Sequence, residues 1–390
     1  SVVGTRGDTR TLALALGLSA DKVLELLDQA RAARLLGASP PGAWQFEHDL
    51  VRDAVYESLS ESERVSAHAI VLEAFAANPA TPAGVLAHHA VCAQPLFDAE
   101  RAVALAAAAG EAAHAHHAYE EAVVWFERAL ANTPAAISPR WRAELLVRCG
   151  EAHRHIGNVS VARSAFLDAS RITDDSTILA RSALGYADPG ADLGIAYRTE
   201  DSTVAALLER AISAQPVDDS LTTVLLESRL AAELYFSDVP HRARSLSDVA
   251  CARARRLGST RALGAAGAVA HDAFVVGQAP MPEQLLNSQQ LLDWAREDGS
   301  TAALLSAHRA RVFDLLAAAD LPAVDAEILA FRRIAEPLRA PAYLWWLSTW
   351  STMRTLLEGR LDDAETEAIA TYELGKGPLD GLAITNLSFL

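Results

Sequence analysis

The stretch GEAAHAHHAYEEAVVWFERALANTP, residues 110–134, decides the fold. Ala122, Phe126 and Ala129 recur at i, i+4 and i+7, which puts them on one face of a helix that begins near Tyr119. Gly110 lies on the helix before it, and Pro134 stops the helix that carries Phe126. Small residues at Gly110, Ala122 and Ala129 let the two helices approach closely, and the Phe126 ring is expected to fill the gap to the next pair. Beginning 40 residues later, Gly150, Ala162, Phe166 and Ala169 repeat the pattern, with Gly157-Asn158 at the tight turn and Ala135 to Pro139 lengthening a loop between repeats.

Gly110, Tyr119, Ala122, Phe126, Ala129 and Pro134 match, offset by offset, the positions that mark a tetratricopeptide repeat, and the chain resembles that family from about residue 98 onward. Looser pairs follow. Residues 178–214 supply one, interrupted by Asp188-Pro189-Gly190. Leu221–Phe236 pairs with Arg242–Leu257, Ala262–Val276 with Pro282–Arg296, Ala302–Ala318 with Pro322–Glu336, and Ala342–Leu357 with Asp362–Glu373. Gly359-Arg360-Leu361-Asp362 again resembles the turn before a second helix. About seven pairs result. The resemblance implies an all-α chain over residues 78–390, a right-handed solenoid whose first helices line a concave surface.

Composition agrees with helices. Of 390 residues 51% are hydrophobic but only 6% aromatic, so the apolar mass is chiefly Ala, Leu and Val, which excludes an all-β fold. Lys and Arg number 34 against 50 Asp and Glu, a net charge of −16, which opposes direct contact with nucleic acid or anionic membrane. Cys92, Cys149 and Cys251 are far apart and share no CxxC spacing, so neither a disulfide framework nor a thiolate zinc finger is indicated, and a cytoplasmic setting is expected. Apolar runs are too short to span a bilayer. The chain opens at Ser1 in helical pattern and closes on Leu387-Ser388-Phe389-Leu390 without a polar cap, so a segment of a longer protein, cut within its last pair, is expected.

Residues 1–77 have a different rhythm. Thr9–Leu16 reads as a helix ended by Gly17; Ser19 caps a second helix with Val23, Leu26, Leu27, Ala30 and Ala33 on one face. Turn residues Gly37–Gly42 precede Trp44 and Phe46, which alternate as a half-buried strand does. A third helix starts near Asp49, and Ser60 with Glu63 forms a capping box for a fourth. Helix, helix, hairpin, helix predicts a winged-helix domain. The segment Phe46-Glu47-His48-Asp49-Leu50-Val51-Arg52-Asp53-Ala54-Val55-Tyr56, with Arg64 and His68, resembles the winged helix of bacterial STAND-type ATP-binding regulators of the MalT-like and LuxR kind. His48-Asp49-Leu50-Val51 also resembles the Met-His-Asp motif of NB-ARC switches, with Glu47 at the Met position. That resemblance implies that His48 contacts the β-phosphate of ADP held by an NTPase domain. No GxxxxGK[ST] loop and no C-terminal helix-turn-helix occur in the chain. ATP or ADP is therefore expected only for a full-length protein, and no cofactor for this segment.

The resemblance to tetratricopeptide repeats also implies which residues face the groove. In the first two repeats these are Glu111, His114, Glu151, Arg154 and His155, a polar set. Later they are Tyr235, Phe236, His271, Phe274, Arg309, Phe313, Trp346 and Met353, a largely aromatic one suited to an apolar small molecule or a peptide or protein effector. Tyr343, Trp345, Trp346 and Trp350 are so dense that at least one is expected to reach an exposed surface or a partner. His88, His89, His114, His116, His117, His153 and His155 show no convergent ligand set by spacing, so no metal is expected. Without a nucleophile elbow, a His-Glu-x-x-His motif or paired carboxylates, catalysis is not expected. The leading expectation is a signal-sensing region that couples ligand binding to a nucleotide switch on the protein's own NTPase domain. The alternatives are a protein-binding scaffold and the regulatory half of a cyclase- or kinase-linked enzyme.

Overall fold

A computed structural model describes residues 1–187, 202–235, 240–275 and 278–376. Among them are nineteen α-helices, one π-helical turn and a single two-stranded sheet, and no helix is long and apolar enough to cross a membrane. The chain divides into two compact units, Ser1–Ile156 and Gly157–Leu390.

In the first unit, strand β1 (Arg6–Asp8) leads into α1 (Thr9–Leu16) and α2 (Ala20–Ala32), followed by β2 (Ala43–Gln45), α3 (Asp49–Glu57) and α4 (Glu61–Ala76). The capping signals act as read: Ser19 Oγ accepts from the Lys22 amide, and Ser60 and Glu63 bond reciprocally. Two expectations change. The strand at Trp44 pairs antiparallel with β1, ahead of α1, whereas the two ends of the loop over 36–46 meet in an isolated Leu36–Phe46 bridge. Trp44 is the reason: its buried ring lies against Gly7, where a Cβ would sit 2.8 Å away, and its indole N–H donates to the Asp8 carbonyl at 3.3 Å. The apolar face of α2 is also narrower than its spacing suggests, with Val23 and Leu27 buried in a cluster with Leu36 and Trp44 and Leu26 exposed.

Then come α5 (Ala83–Cys92), α6 (Ala99–Ala115), α7 (Tyr119–Ala131) and α8 (Pro139–His155), each packed on the next. The quoted stretch spans α6 and α7. Gly110 faces Phe126 so closely that a Cβ would lie 2.7 Å from the ring, and Ala122, Phe126 and Ala129 are all buried. The turn between the two helices places His117 in the left-handed region, at φ 59°.

The second unit holds α9 (Val159–Ile172), α10 (Ser176–Ala187), α11 (Ser202–Ser213), α12 (Leu221–Leu234), α13 (Pro240–Leu257), α14 (Thr260–Ala270), α15 (Met281–Asp298), α16 (Thr301–Ala317), α17 (Leu321–Leu338), α18 (Pro341–Leu357) and α19 (Leu361–Gly375). Sequential neighbours pack together throughout, with next-but-one contacts such as α12 on α14, which is the connectivity of stacked helical hairpins. Asp188-Pro189-Gly190 lies outside the described residues. Phe166 buries its ring against Gly185 of α10, repeating the approach seen at Gly110. Gly359 takes φ 77° between α18 and α19, as its turn requires.

Gly110→Val is expected to destabilise the chain by about 1–3 kcal/mol, because the Phe126 ring has no room to yield. Adding Phe126→Leu should recover part of that loss. Urea unfolding of the two variants checks this, and equal losses in single and double variants would refute the close approach.

Candidate functional site

Helix α14 ends in a π-helical turn, His271–Val275, a local widening that is frequent at functional sites. It carries two titratable side chains, His271 and Asp272, into the interior of the second unit. His271 is buried between two carboxylates: Nδ1 lies 3.2 Å from Asp272 Oδ1 and Nε2 3.0 Å from Asp314 Oδ2. Both partners are acceptors, so both ring nitrogens donate and the imidazole is held as a cation. Burial acts to lower the His271 pKa, but the hydrogen bonds and charges of Asp272 and Asp314 outweigh it and raise the value to about 9. Arg309 of α16 donates through Nη2 to Asp272 Oδ2. Burial works to raise the Asp272 pKa, yet the charges and hydrogen bonds of Arg309 and His271 hold it below the usual carboxylate range. The quartet therefore balances two cations against two anions.

An aromatic wall adjoins this quartet. The Arg309 guanidinium lies 5.7 Å from the Phe313 ring centroid and 5.8 Å from that of Trp346, within cation–π range. Phe313 meets Trp346 edge to face at 5.6 Å, and Trp346 touches both Trp345 (5.0 Å) and Trp350 (5.6 Å). Helix spacing explains the arrangement: Arg309 and Phe313 are i, i+4 on α16, and Trp346, Trp350 and Met353 share one face of α18. Five buried polar atoms here have no hydrogen-bond partner among the described residues: the indole nitrogens of Trp345, Trp346 and Trp350, Arg309 Nε and Asp314 Oδ1. Buried donors and acceptors are nearly always satisfied, so four donors and one acceptor left over mark a place suited to a polar group from elsewhere. On the next helix, Glu327 accepts from His308 Nδ1 at 2.5 Å and Arg311 Nε at 2.8 Å. Burial favours its neutral form, but these two partners lower its pKa.

Of the residues expected to line a groove, His271, Arg309, Phe313 and Trp346 come together here, and Met353 packs against the same tryptophan core. His271, Arg309 and Trp346 are buried between helices, whereas Phe313 and Met353 are half-buried. Tyr343, Trp345, Trp346 and Trp350 are all buried too, contrary to the expectation of an exposed surface for one of them. The reason is packing: Phe331 meets Tyr343 at 6.2 Å and Trp350 at 4.9 Å, both edge to face. Tyr235 caps α12 away from this cluster. Phe236 lies outside the described residues, as does the side chain of Phe274. Asp272 and Asp314, which hold the charge of the site, have no place in the groove pattern; only their positions beside His271 and Phe313 hinted at them.

The polar set belongs to the first unit. Glu111 is paired with Arg148, His114 meets Tyr119 and His155 edge to face, and His155 stacks on Tyr119 at 4.1 Å. Glu151 and Arg154 are half-buried on the same helix, α8. His48 occupies the N-cap position of α3 but makes no capping bond, and its side chain is exposed.

No protein-family model and no curated protein matches the chain. Among solved structures it is similar to the STAND protein with a tetratricopeptide repeat sensor from Pyrococcus horikoshii, at 11% identity and a TM-score of 0.47, covering 97% of this chain. The chain spans 63% of that protein's length. A Rap protein complexed with competence and sporulation factor is similar at 12% identity and a TM-score of 0.37, over 98% of this chain and 96% of the other. Likeness of this degree bears on neither partners nor chemistry.

Two outcomes follow from the charge quartet. Arg309→Met leaves two buried carboxylates, Asp272 and Asp314, sharing one cation, His271, and is expected to cost about 3–5 kcal/mol in chemical denaturation. His271 has a folded pKa of about 9, raised above its ordinary 6.5. Its contribution to stability is therefore complete below the ordinary value and is lost as pH rises through the folded one. The unfolding midpoint should fall over that window in the wild type, and the fall should be shallower in His271→Gln; identical profiles would remove His271 from the account.

Proposed function

We propose that this chain is a non-catalytic sensor region, in which the second unit binds a small effector between α16, α18 and the π-helical turn. One observation carries the reading: the indole N–H groups of three tryptophans, Arg309 Nε and Asp314 Oδ1 are buried without a hydrogen-bond partner among the described residues, on helices whose side chains meet through the Arg309–Trp346 and Phe313–Trp346 contacts. Such a wall suits a largely apolar molecule, or the side chain of a peptide, bearing a carbonyl or carboxylate to accept from the indoles and a donor for Asp314. His271, Asp272 and Arg309 are tied to one another by hydrogen bonds and opposite charge, and the cluster reads as a binding surface.

The first unit supports the coupling half of the proposal. His48 is exposed at the start of α3, and Leu50, two residues on, is 80% exposed. An imidazole and a leucine presented together suit docking onto another domain. In a STAND-type, LuxR-like regulator with a winged helix at residues 1–77, that domain would be the NTPase, with His48 reading its ADP phosphate. Effector binding would shift the packing of the repeats and release that contact. The net charge of −16 favours a protein setting over direct DNA contact by this segment, with a cytoplasmic location.

Native mass spectrometry of the purified chain, followed by titration of any released compound against tryptophan fluorescence, tests the reading. A stoichiometric small molecule or peptide that shifts the emission of the wild type, and binds at least about tenfold more weakly to Trp346→Phe, which keeps the ring but loses the N–H, is expected. Binding of a whole protein with no change in tryptophan emission would favour the scaffold alternative.

A further inference from the structure

A second cluster of chemically capable side chains lies in the first unit, far in sequence from the tryptophan wall. On α5, His88 and Cys92 are separated by four residues and so share one helix face. On α4, which packs against α5, His68 points at the same spot. One ligand atom from each of His68, His88 and Cys92 can be chosen so that all lie within 4.8 Å of one another. The His68 and His88 rings meet edge to face at 5.4 Å. We propose that His68, His88 and Cys92 form a binding site for one thiophilic d10 ion, Zn2+ or Cu+.

The donor set fits this class of ion. Two imidazoles and a thiolate are the ligands zinc and copper(I) prefer, whereas calcium and magnesium demand oxygen. Zn–N and Zn–S bonds of about 2.0–2.3 Å imply ligand separations of roughly 3.3–3.7 Å, so the three side chains need to draw together by about 1 Å. Rotation of His88, which is exposed, and of half-buried Cys92 supplies that movement. His68 is the fixed member: it is buried, its Nε2 lies 3.1 Å from the Tyr56 hydroxyl and its Nδ1 2.9 Å from His89 Nδ1. Whichever nitrogen ligates, the other keeps a hydrogen-bonding partner, which is how metal-bound imidazoles are usually oriented. The exposure of His88 leaves a fourth position open to water. Arg52 and Arg128 act electrostatically on His88, a penalty for a divalent ion that is smaller for Cu+, whose charge the Cys92 thiolate cancels. A bound ion would cross-link α4 to α5.

The test titrates the whole chain with Zn2+ alone, and separately with Cu+ under anaerobic, reducing conditions, each against a chromophoric chelator. The comparison proteins are His88→Ala and Cys92→Ser, whose side chains are not fully buried, with His116→Ala as a control at an exposed histidine elsewhere. One equivalent of either ion in the wild type and in His116→Ala, weakened in both other variants, is expected. Loss of a second-shell partner alone costs about 10- to 100-fold in affinity, so loss of a ligand should cost at least as much. Cobalt substitution should add a thiolate charge-transfer band that Cys92→Ser abolishes. Failure to bind one equivalent of either ion, or binding undiminished in His88→Ala and Cys92→Ser, would overturn the site. Circular dichroism of each variant separates lost ligation from lost folding.

Discussion

Two helices can come as close as α6 and α7 do only where one of them has no side chain in the way. The Phe126 ring occupies the space a Cβ on Gly110 would need, and Phe166 does the same at Gly185. This constraint turns an alanine-rich chain with few aromatics into a packed interior. Alanine contributes little buried area per residue, so the stack gains stability from close approach and from a ring inserted at each repeat. Because each pair buries its face mainly against its neighbours, the loss of one ring loosens a junction between pairs before it affects the rest.

The same logic explains what could be read from sequence. Glycine, alanine and phenylalanine at fixed offsets betray the helix pairs because the steric requirement is local, spanning one hairpin. The left-handed turn residues are legible where glycine supplies them, at Gly157 and Gly359, and illegible where His117 or Ala319 takes the same conformation. The partner of the strand at Trp44 could not be read either: it depends on a contact with Gly7 across two intervening helices.

The candidate site was half legible. Helical register brought His271, Arg309, Phe313 and Trp346 into one set, because each lies at the corresponding place on its own helix. It could not reveal that Phe331 of α17 packs against Tyr343 and Trp350 of the helix that carries Trp346, nor that Asp272 and Asp314 neutralise the set, since these pairings join residues from different helices. His68 was legible only as part of the winged-helix resemblance, and not as a neighbour of His88 and Cys92, for the same reason. Spacing within α5 pairs His88 with Cys92, but only the packing of α4 brings the third side chain to them.

Four buried charges in a tryptophan-rich interior are a poor device for stability, because well-packed apolar residues of similar volume generally serve as well or better. What the quartet supplies is orientation. His271 spans two carboxylates on different elements, and Arg309 ties one of them to the aromatic wall, so α14, α16 and α18 are held in a defined relation. A ligand that satisfied Asp314 Oδ1 and the indole N–H groups would have to part α16 from α18 to reach them, and in doing so would perturb the same ion pairs. The helices on either side pack on these directly. On the proposed reading, a displacement begun at this wall would be passed to the next hairpin by contact.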